Sequence, residues 1–265
     1  MSDPFLSFVE FLRNDVREKN IIFLTHGLFG SKRNWINTGK SLSERLNRHV
    51  VAIDLRNHGS SFWSKSHDYV SLGQDLTKLA DHFGRKVDLV GHSMGGKAVM
   101  SAALMNPCNF GKLVVVDISP VTYCYSELMD FIWGMKQLDL SRINSRTEAD
   151  KILSDYISDQ KIRSFLLQNI IRKETGNYDW GINLQSIEDN IKLIVSFPQF
   201  QNQFLGKTLF LKGQESSYIS ENSITEIEKY FPRHTIADIN QAGHWPHVDQ
   251  PKTFQDKVVH FIRGF

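Results

Sequence analysis

Five short apolar runs punctuate an otherwise mixed chain: Ile21-Ile22-Phe23-Leu24, Val50-Val51-Ala52-Ile53, Val87-Asp88-Leu89-Val90, Leu113-Val114-Val115-Val116 and Thr208-Leu209-Phe210-Leu211. They are rich in β-branched side chains and nearly continuous in hydrophobicity. That is the pattern of strands buried on both faces of a parallel sheet. Between them, apolar residues recur at helical spacing over 35–46, 69–83 and 97–105. Strand and helix alternate, which predicts an α/β fold: a mostly parallel sheet, helices on both faces, right-handed crossovers. A last strand is predicted over 235–239. A last helix follows Pro251, with Phe254, Val258, Phe261 and Ile262 on one stripe. Near the start, 6–12 and the approach to Ile21 flank the turn-prone Arg13-Asn14-Asp15, which predicts an N-terminal hairpin.

The spacing of the runs carries further information. The first four begin at Ile21, Val50, Val87 and Leu113, but the fifth does not begin until Thr208. One strand–helix unit cannot use that much chain, so residues 119–200 read as an insertion within a single domain spanning 1–265. Helical patterns are predicted there over 125–138, 147–157, 161–171 and 186–195. The insertion leaves the sheet at the C-terminal end of a strand, where α/β sheets bind ligands, and so is expected to cap a site. Trp133 and Trp180, among its aromatics, are candidate lining residues.

The 265-residue length suits one α/β domain with an insertion. The net charge is +2 with acids and bases intermixed, which leaves no electrostatic footprint for nucleic acid. Cys108 and Cys124 form no disulfide framework, which fits a reducing, intracellular compartment. No run reaches the roughly 18 to 20 apolar residues of a membrane-crossing helix. The first residues carry Asp3, Glu10 and Asp15, unlike a signal peptide or an Arg-rich transit peptide.

The chemistry centres on Gly91-His92-Ser93-Met94-Gly95, a G-x-S-x-G sequence between a predicted strand and a predicted helix. In that context the pattern is a nucleophile elbow, with Ser93 on a tight turn and its hydroxyl presented above the sheet. Gly91 and Gly95 are expected because a side chain there would collide with the neighbouring strand and helix. A serine hydroxyl needs a general base. His244, after the last strand, supplies it in the expected chain order. Two acids compete: Asp117, ending the run that follows the elbow, and Glu215, after the next one. A carboxylate at a buried strand end requires a partner, which favours Asp117. Two backbone N–H groups are needed for an oxyanion. Met94 supplies one, and Leu28 in His26-Gly27-Leu28-Phe29-Gly30 the other. His247 makes H-x-x-H with His244, but no further ligand spacing accompanies it, so no metal is expected. His26 and His58 read as loop support.

His26-Gly27-Leu28-Phe29-Gly30-Ser31, the Arg56-Asn57-His58-Gly59 core of 54–60, Gly91 to Lys97, and Asp117-Ile118-Ser119-Pro120 together resemble one group of the α/β-hydrolase superfamily. The group comprises short-chain esterases, mitochondrial abhydrolase-domain proteins and fungal alcohol (ethanol) acetyltransferases. The resemblance covers nearly the whole chain from about Ile21. It implies an α/β-hydrolase fold, a Ser93-Asp117-His244 triad and no cofactor. It also implies short-chain ester, acyl-CoA or alcohol substrates, with acetyl-CoA entering as a substrate only. It implies a mitochondrial setting. Glu215-Ser216 occupies the more usual acid position, in the group's Ser-x-Tyr type of loop, here Ser216-Ser217-Tyr218, and Tyr218 is a further candidate at the substrate. The competing class is a ligand-binding protein of the same fold that performs no chemistry; an intact triad argues against it.

Overall fold

A computed structural model describes residues 5–12, 20–174 and 176–265. In chain order the first half comprises β1 (Phe8–Phe11), β2 (Ile21–Thr25), α1 (Ile36–Leu46), β3 (Val50–Ile53), α2 (Tyr69–Phe83), β4 (Val87–His92), α3 (Met94–Met105) and β5 (Phe110–Val116). Then come α4 (Ser126–Lys136), α5 (Arg146–Leu153), α6 (Gln160–Leu166), β6 (Ile170–Arg172), β7 (Tyr178–Trp180), α7 (Leu184–Asp189) and α8 (Ile191–Val195). The chain closes with β8 (Thr208–Gly213), α9 (Glu221–Tyr230), β9 (His234–Ile239), α10 (Pro246–Asp249) and α11 (Pro251–Arg263).

Seven strands form one sheet in the order β1-β3-β2-β4-β5-β8-β9, parallel except for β1. The apolar runs are its interior. Successive side chains point to opposite faces. Phe23, Val51, Leu89, Val115 and Phe210 therefore pack with Leu72 and Leu76 of α2 and Val99 of α3. Ile22, Leu24, Val90, Val114 and Leu211 pack with Leu42 of α1 and Phe254 and Val258 of α11. The helices begin and end where local chemistry permits. Asp68 caps α2 by accepting the Ser71 N–H at 2.8 Å, and Gly84 ends it at φ +60°.

Among the described residues β1 does not form the expected hairpin with β2. β1 pairs antiparallel with β3, Phe8 opposite Ile53, and the turn expected at 13–15 lies outside the described residues. The reason is that β2 has no free edge: parallel β3 and β4 occupy both. Among the described residues no helix is long and apolar enough to cross a membrane.

The 119–200 segment is less helical than its pattern predicts. The helix expected over 161–171 ends at Leu166, and after a short 3-10 turn the chain forms the antiparallel pair β6–β7. The helix expected over 186–195 is two short helices, α7 and α8, meeting at Asn190.

Lys97 of α3 joins both ends of this segment to the body. It is buried, and its Nζ donates to the carbonyls of Val121 at 2.7 Å, Val195 at 2.8 Å and Ser196 at 2.8 Å. The ammonium lies 4.7 Å from the centre of the Tyr123 ring. Burial pushes its pKa well below the usual lysine value. Three carbonyls and an aromatic face replace the hydration shell that it leaves. Lys97→Met should strip those carbonyls of their donor while relieving the desolvation of a charge. The net loss should be about 1–3 kcal/mol. Calorimetry should show a lower Tm, and limited proteolysis should open the segment near 121 and 196 before the sheet.

Candidate active site

β4 delivers His92 and then turns sharply into α3. At the turn Ser93 has φ +52° and ψ −119°, a conformation that non-glycine residues rarely hold. Bonds on both sides hold it: the Ser93 N–H donates to Val116 at 3.0 Å, and its carbonyl accepts from Lys97 N–H at 3.0 Å. The flanking glycines are steric requirements, as expected. A Cβ on Gly91 would enter the Gly95 carbonyl, and a Cβ on Gly95 would lie 2.5 Å from the His26 carbonyl oxygen.

The structure brings Ser93, His244 and Asp117 into one hydrogen-bonded series. His244 Nε2 lies 3.0 Å from Ser93 Oγ, and His244 Nδ1 lies 2.8 Å from Asp117 Oδ2. Asp117 is fully buried at the end of β5, in a left-handed conformation at φ +51°. Its carboxylate also accepts the Gly213 N–H at 2.9 Å and the Ser216 hydroxyl at 2.5 Å. Glu215 is exposed and takes no part; its backbone N–H donates to Ala242. A carboxylate only accepts, so Asp117 orients the imidazole with Nδ1 protonated and the Nε2 lone pair toward Ser93.

Two further contacts hold His244. The Tyr218 ring stacks on it, 4.0 Å between centres and 22° between planes. His92 Nε2 lies 2.7 Å from the His244 carbonyl, which can only accept, so His92 carries its proton there. Burial pushes His92 well below the usual imidazole range, and His247 down to about 3. Both are therefore neutral near neutral pH. His247 stacks on Trp35 at 4.7 Å.

Leu28 and Met94 both border the cavity at Ser93. Met94 opens α3, whose first amides have no intrahelical partner. The Leu28 loop is held by histidines. The Gly27 carbonyl accepts from Gly30 N–H at 3.0 Å and from His26 Nδ1 at 2.8 Å. The peptide is planar, so drawing the Gly27 oxygen one way aims the Leu28 N–H the other. Phe29, at φ +62°, donates its N–H to His58 Nε2 at 3.3 Å, and its carbonyl accepts from Asn169 Nδ2 at 2.8 Å. His26 and His58 are thus loop supports, and burial lowers the pKa of each.

The cavity above Ser93 measures about 260 Å³. Its far wall is apolar: Ile118, Leu128, Phe131, Ile194 and Val195, with Ile162 and Phe165 closing one side. Most of that wall comes from the 119–200 segment. Tyr218 lines the cavity, but Trp133 and Trp180 do not. Leu128 and Phe131 share one face of α4. Trp133, two residues beyond Phe131, is turned roughly 200° away. It is 56 % exposed, with its ring edge against Tyr156. Trp180 of β7 pairs with Ile170 and packs against the core, and no described residue of 167–193 reaches the cavity. Sequence reasoning also missed Ser216, His92 and Lys97. Lys97 left a visible signal, as the one charge in the twelve residues of α3.

Phe131→Ala should therefore shift acyl-length preference toward longer chains, by about tenfold between acetyl and octanoyl esters. Trp133→Ala should leave the profile unchanged. Initial rates across a p-nitrophenyl ester series would decide.

Comparison with known proteins agrees with this geometry. The family described as alpha/beta hydrolase fold matches residues 20–251. The chain is 41% identical to the sn-1-specific diacylglycerol lipase ABHD11 of Danio rerio over 250 residues, covering 92% of this chain and 78% of that protein. It is 31% identical to ethanol acetyltransferase 1 of Wickerhamomyces anomalus, covering 94% and 70%. A solved marine microorganism esterase superposes with a TM-score of 0.90 at 36% identity, covering 97% of this chain and 99% of that one. With the elbow, the seven-stranded sheet and these matches in hand, the chain belongs to the α/β-hydrolase fold family.

Proposed function

We propose that the protein is a serine acyl enzyme that cleaves short-chain carboxylic esters or thioesters through an acyl-Ser93 intermediate and passes the acyl group to water or to an alcohol. The observation that carries this reading is the unbroken series Ser93–His244–Asp117 at 3.0 and 2.8 Å, opening into an apolar cavity. A binding protein without chemistry has no use for that series. The names of the relatives, lipase, esterase and acetyltransferase, support the same chemistry from two directions.

In this mechanism His244 Nε2 takes the Ser93 proton as Oγ bonds to the carbonyl carbon. The carbonyl electron pair moves to its oxygen, which the Leu28 and Met94 N–H groups receive. Asp117 stays ionised and balances the imidazolium. The pair returns, the bond to the leaving oxygen or sulfur breaks, and His244 gives that atom its proton. Water or an alcohol then repeats the sequence on acyl-Ser93, releasing acid or a new ester. The 119–200 segment acts as a cap whose apolar side chains exclude water from the acyl group.

Ser93→Ala should abolish labelling by a fluorophosphonate and lower kcat on p-nitrophenyl acetate by about 10⁴-fold or more, with circular dichroism unchanged. Labelling that survives the substitution would move the nucleophile elsewhere. Asp117→Asn should approach a similar loss of about 10⁴-fold, because an amide there favours the wrong imidazole tautomer. Glu215→Gln should cost far less, about tenfold through the loop, since the His244 ring takes Asp117 and Ser93 as its partners and the Glu215 side chain is exposed. A dead Glu215→Gln beside an active Asp117→Asn would reverse the assignment.

A further inference from the structure

One position in the wall of the cavity at Ser93 differs from its neighbours. α4 presents Leu128 and Phe131 to the cavity, and Glu127 lines it from the same stripe, one helical turn before Phe131. The side chains that α6 and α8 bring beside them, Ile162, Phe165, Ile194 and Val195, are apolar. A carboxylate in the first turn of a helix is favoured by the helix dipole wherever it lies around the axis. That accounts for an acid at the start of α4, but not for its place on the cavity side.

Glu127 also lacks a partner. Among the described residues no hydrogen-bond donor and no cation pairs with its carboxylate. The other charged side chain in the lining is Lys97. Its three N–H bonds are all spent, on the carbonyls of Val121, Val195 and Ser196. Lys97 is buried, whereas Glu127 is exposed at the rim. A molecule entering the cavity therefore meets an unpaired carboxylate, while the one ammonium in the lining has no donor left to offer.

The charge of Glu127 is felt beside the triad. Burial raises the Tyr218 hydroxyl above its usual pKa, and the Glu127 carboxylate adds to that ahead of Asp117. The Tyr218 ring is the one that stacks on His244, 4.0 Å between centres. Apolar walls screen a charge less than open solvent does, so a charged group of the substrate within this cavity interacts with Glu127 strongly.

Building on the acyl-enzyme reading, we propose that Glu127 is a specificity-determining residue that selects the charge of the acyl group, admitting neutral and cationic acyl groups and turning away those that end in a carboxylate. A carboxylate placed between Glu127 and Tyr218 is repelled by a like charge, whereas an ammonium there gains a partner. An alkyl chain, which packs on Phe131, meets neither effect.

The test keeps the alcohol constant and varies the charge at the acyl end. kcat/KM is measured for ethyl hexanoate, monoethyl glutarate and the ethyl ester of trimethylammoniobutyrate, with the wild type, Glu127→Gln and Glu127→Lys. The position is exposed, so neither substitution enters the core. The ratio of ethyl hexanoate to monoethyl glutarate should fall about tenfold in Glu127→Gln and further in Glu127→Lys. The ratio of the trimethylammonio ester to ethyl hexanoate should fall in the same order. Added salt should narrow the wild-type ratios and leave those of Glu127→Gln nearly unchanged. A role confined to the helix dipole would lower Tm and slow all three esters alike. Ratios unchanged in both variants, or a wild-type preference for monoethyl glutarate over ethyl hexanoate, would overturn the assignment and leave the acyl enzyme intact. No turnover of ethyl hexanoate by the wild type, with Ser93 unlabelled by fluorophosphonate, would overturn both.

Discussion

Asp117 receives hydrogen bonds from three separate stretches of chain: Gly213 at the end of β8, Ser216 in the following turn, and His244 beyond β9. A fully buried carboxylate is tolerable only when its lone pairs are met. The same bonds that make it tolerable also dock the β8 and β9 loops against the end of β5. Removing any one donor would leave the carboxylate under-satisfied and loosen the loop that brought it. The site and the C-terminal edge of the sheet are therefore one construction. The position of His244 relative to Ser93 follows from it.

The opposite side of the site rests on a second buried polar network. His26, His58 and Asn169 fix three successive peptides of the Leu28 loop, and Asn169 belongs to the 119–200 segment. Lys97, one helical turn after Ser93, binds the two ends of that segment. The Ser93 turn, the Leu28 loop and the segment over the cavity thus share supports. A preorganised site needs donors already aimed before charge develops, and buried, mutually satisfied groups supply that at low reorganisation cost. The burial that makes these histidines neutral also keeps their lone pairs available as acceptors over the neutral pH range.

The cavity at Ser93 follows from the same arrangement. α4, α6 and α8 bring Leu128, Phe131, Ile162, Phe165, Ile194 and Val195 over it, beside Glu127 and Lys97. Phe165 and Trp245, 5.9 Å between ring centres, join a residue of the inserted segment to one of the body. The shape of the cavity therefore depends on how that segment is seated, and Lys97, Tyr69 and Asn169 are among the contacts that seat it.

Much of this was legible from the chain alone. The five apolar runs became interior strands because burial on both faces demands continuous hydrophobicity, a local property. The elbow was legible because its five-residue pattern is local and the clash of a Cβ at Gly91 with the Gly95 carbonyl arises inside it, whereas the clash at Gly95 is with Thr25 and His26, brought there by the fold. The choice of Asp117 over Glu215 was half legible: the need for a partner was visible, but not that Ser216 and Gly213 would supply it from nearly a hundred residues away. Other features were set only by the tertiary structure. β1 joined β3 because β2 had no free edge. The helix expected over 161–171 stopped at Leu166, and Ile170 and Ile171 joined a strand pair with β7. Phe131 faced the cavity and Trp133 faced away, since an aromatic-rich helix does not declare which side its neighbours will cover. Local steric and hydrophobic rules act over a turn or a strand, and the sequence by itself determined whatever they govern. Pairing partners, helix facing and the lining of the cavity arise from contacts between distant segments, and those only the folded chain decided.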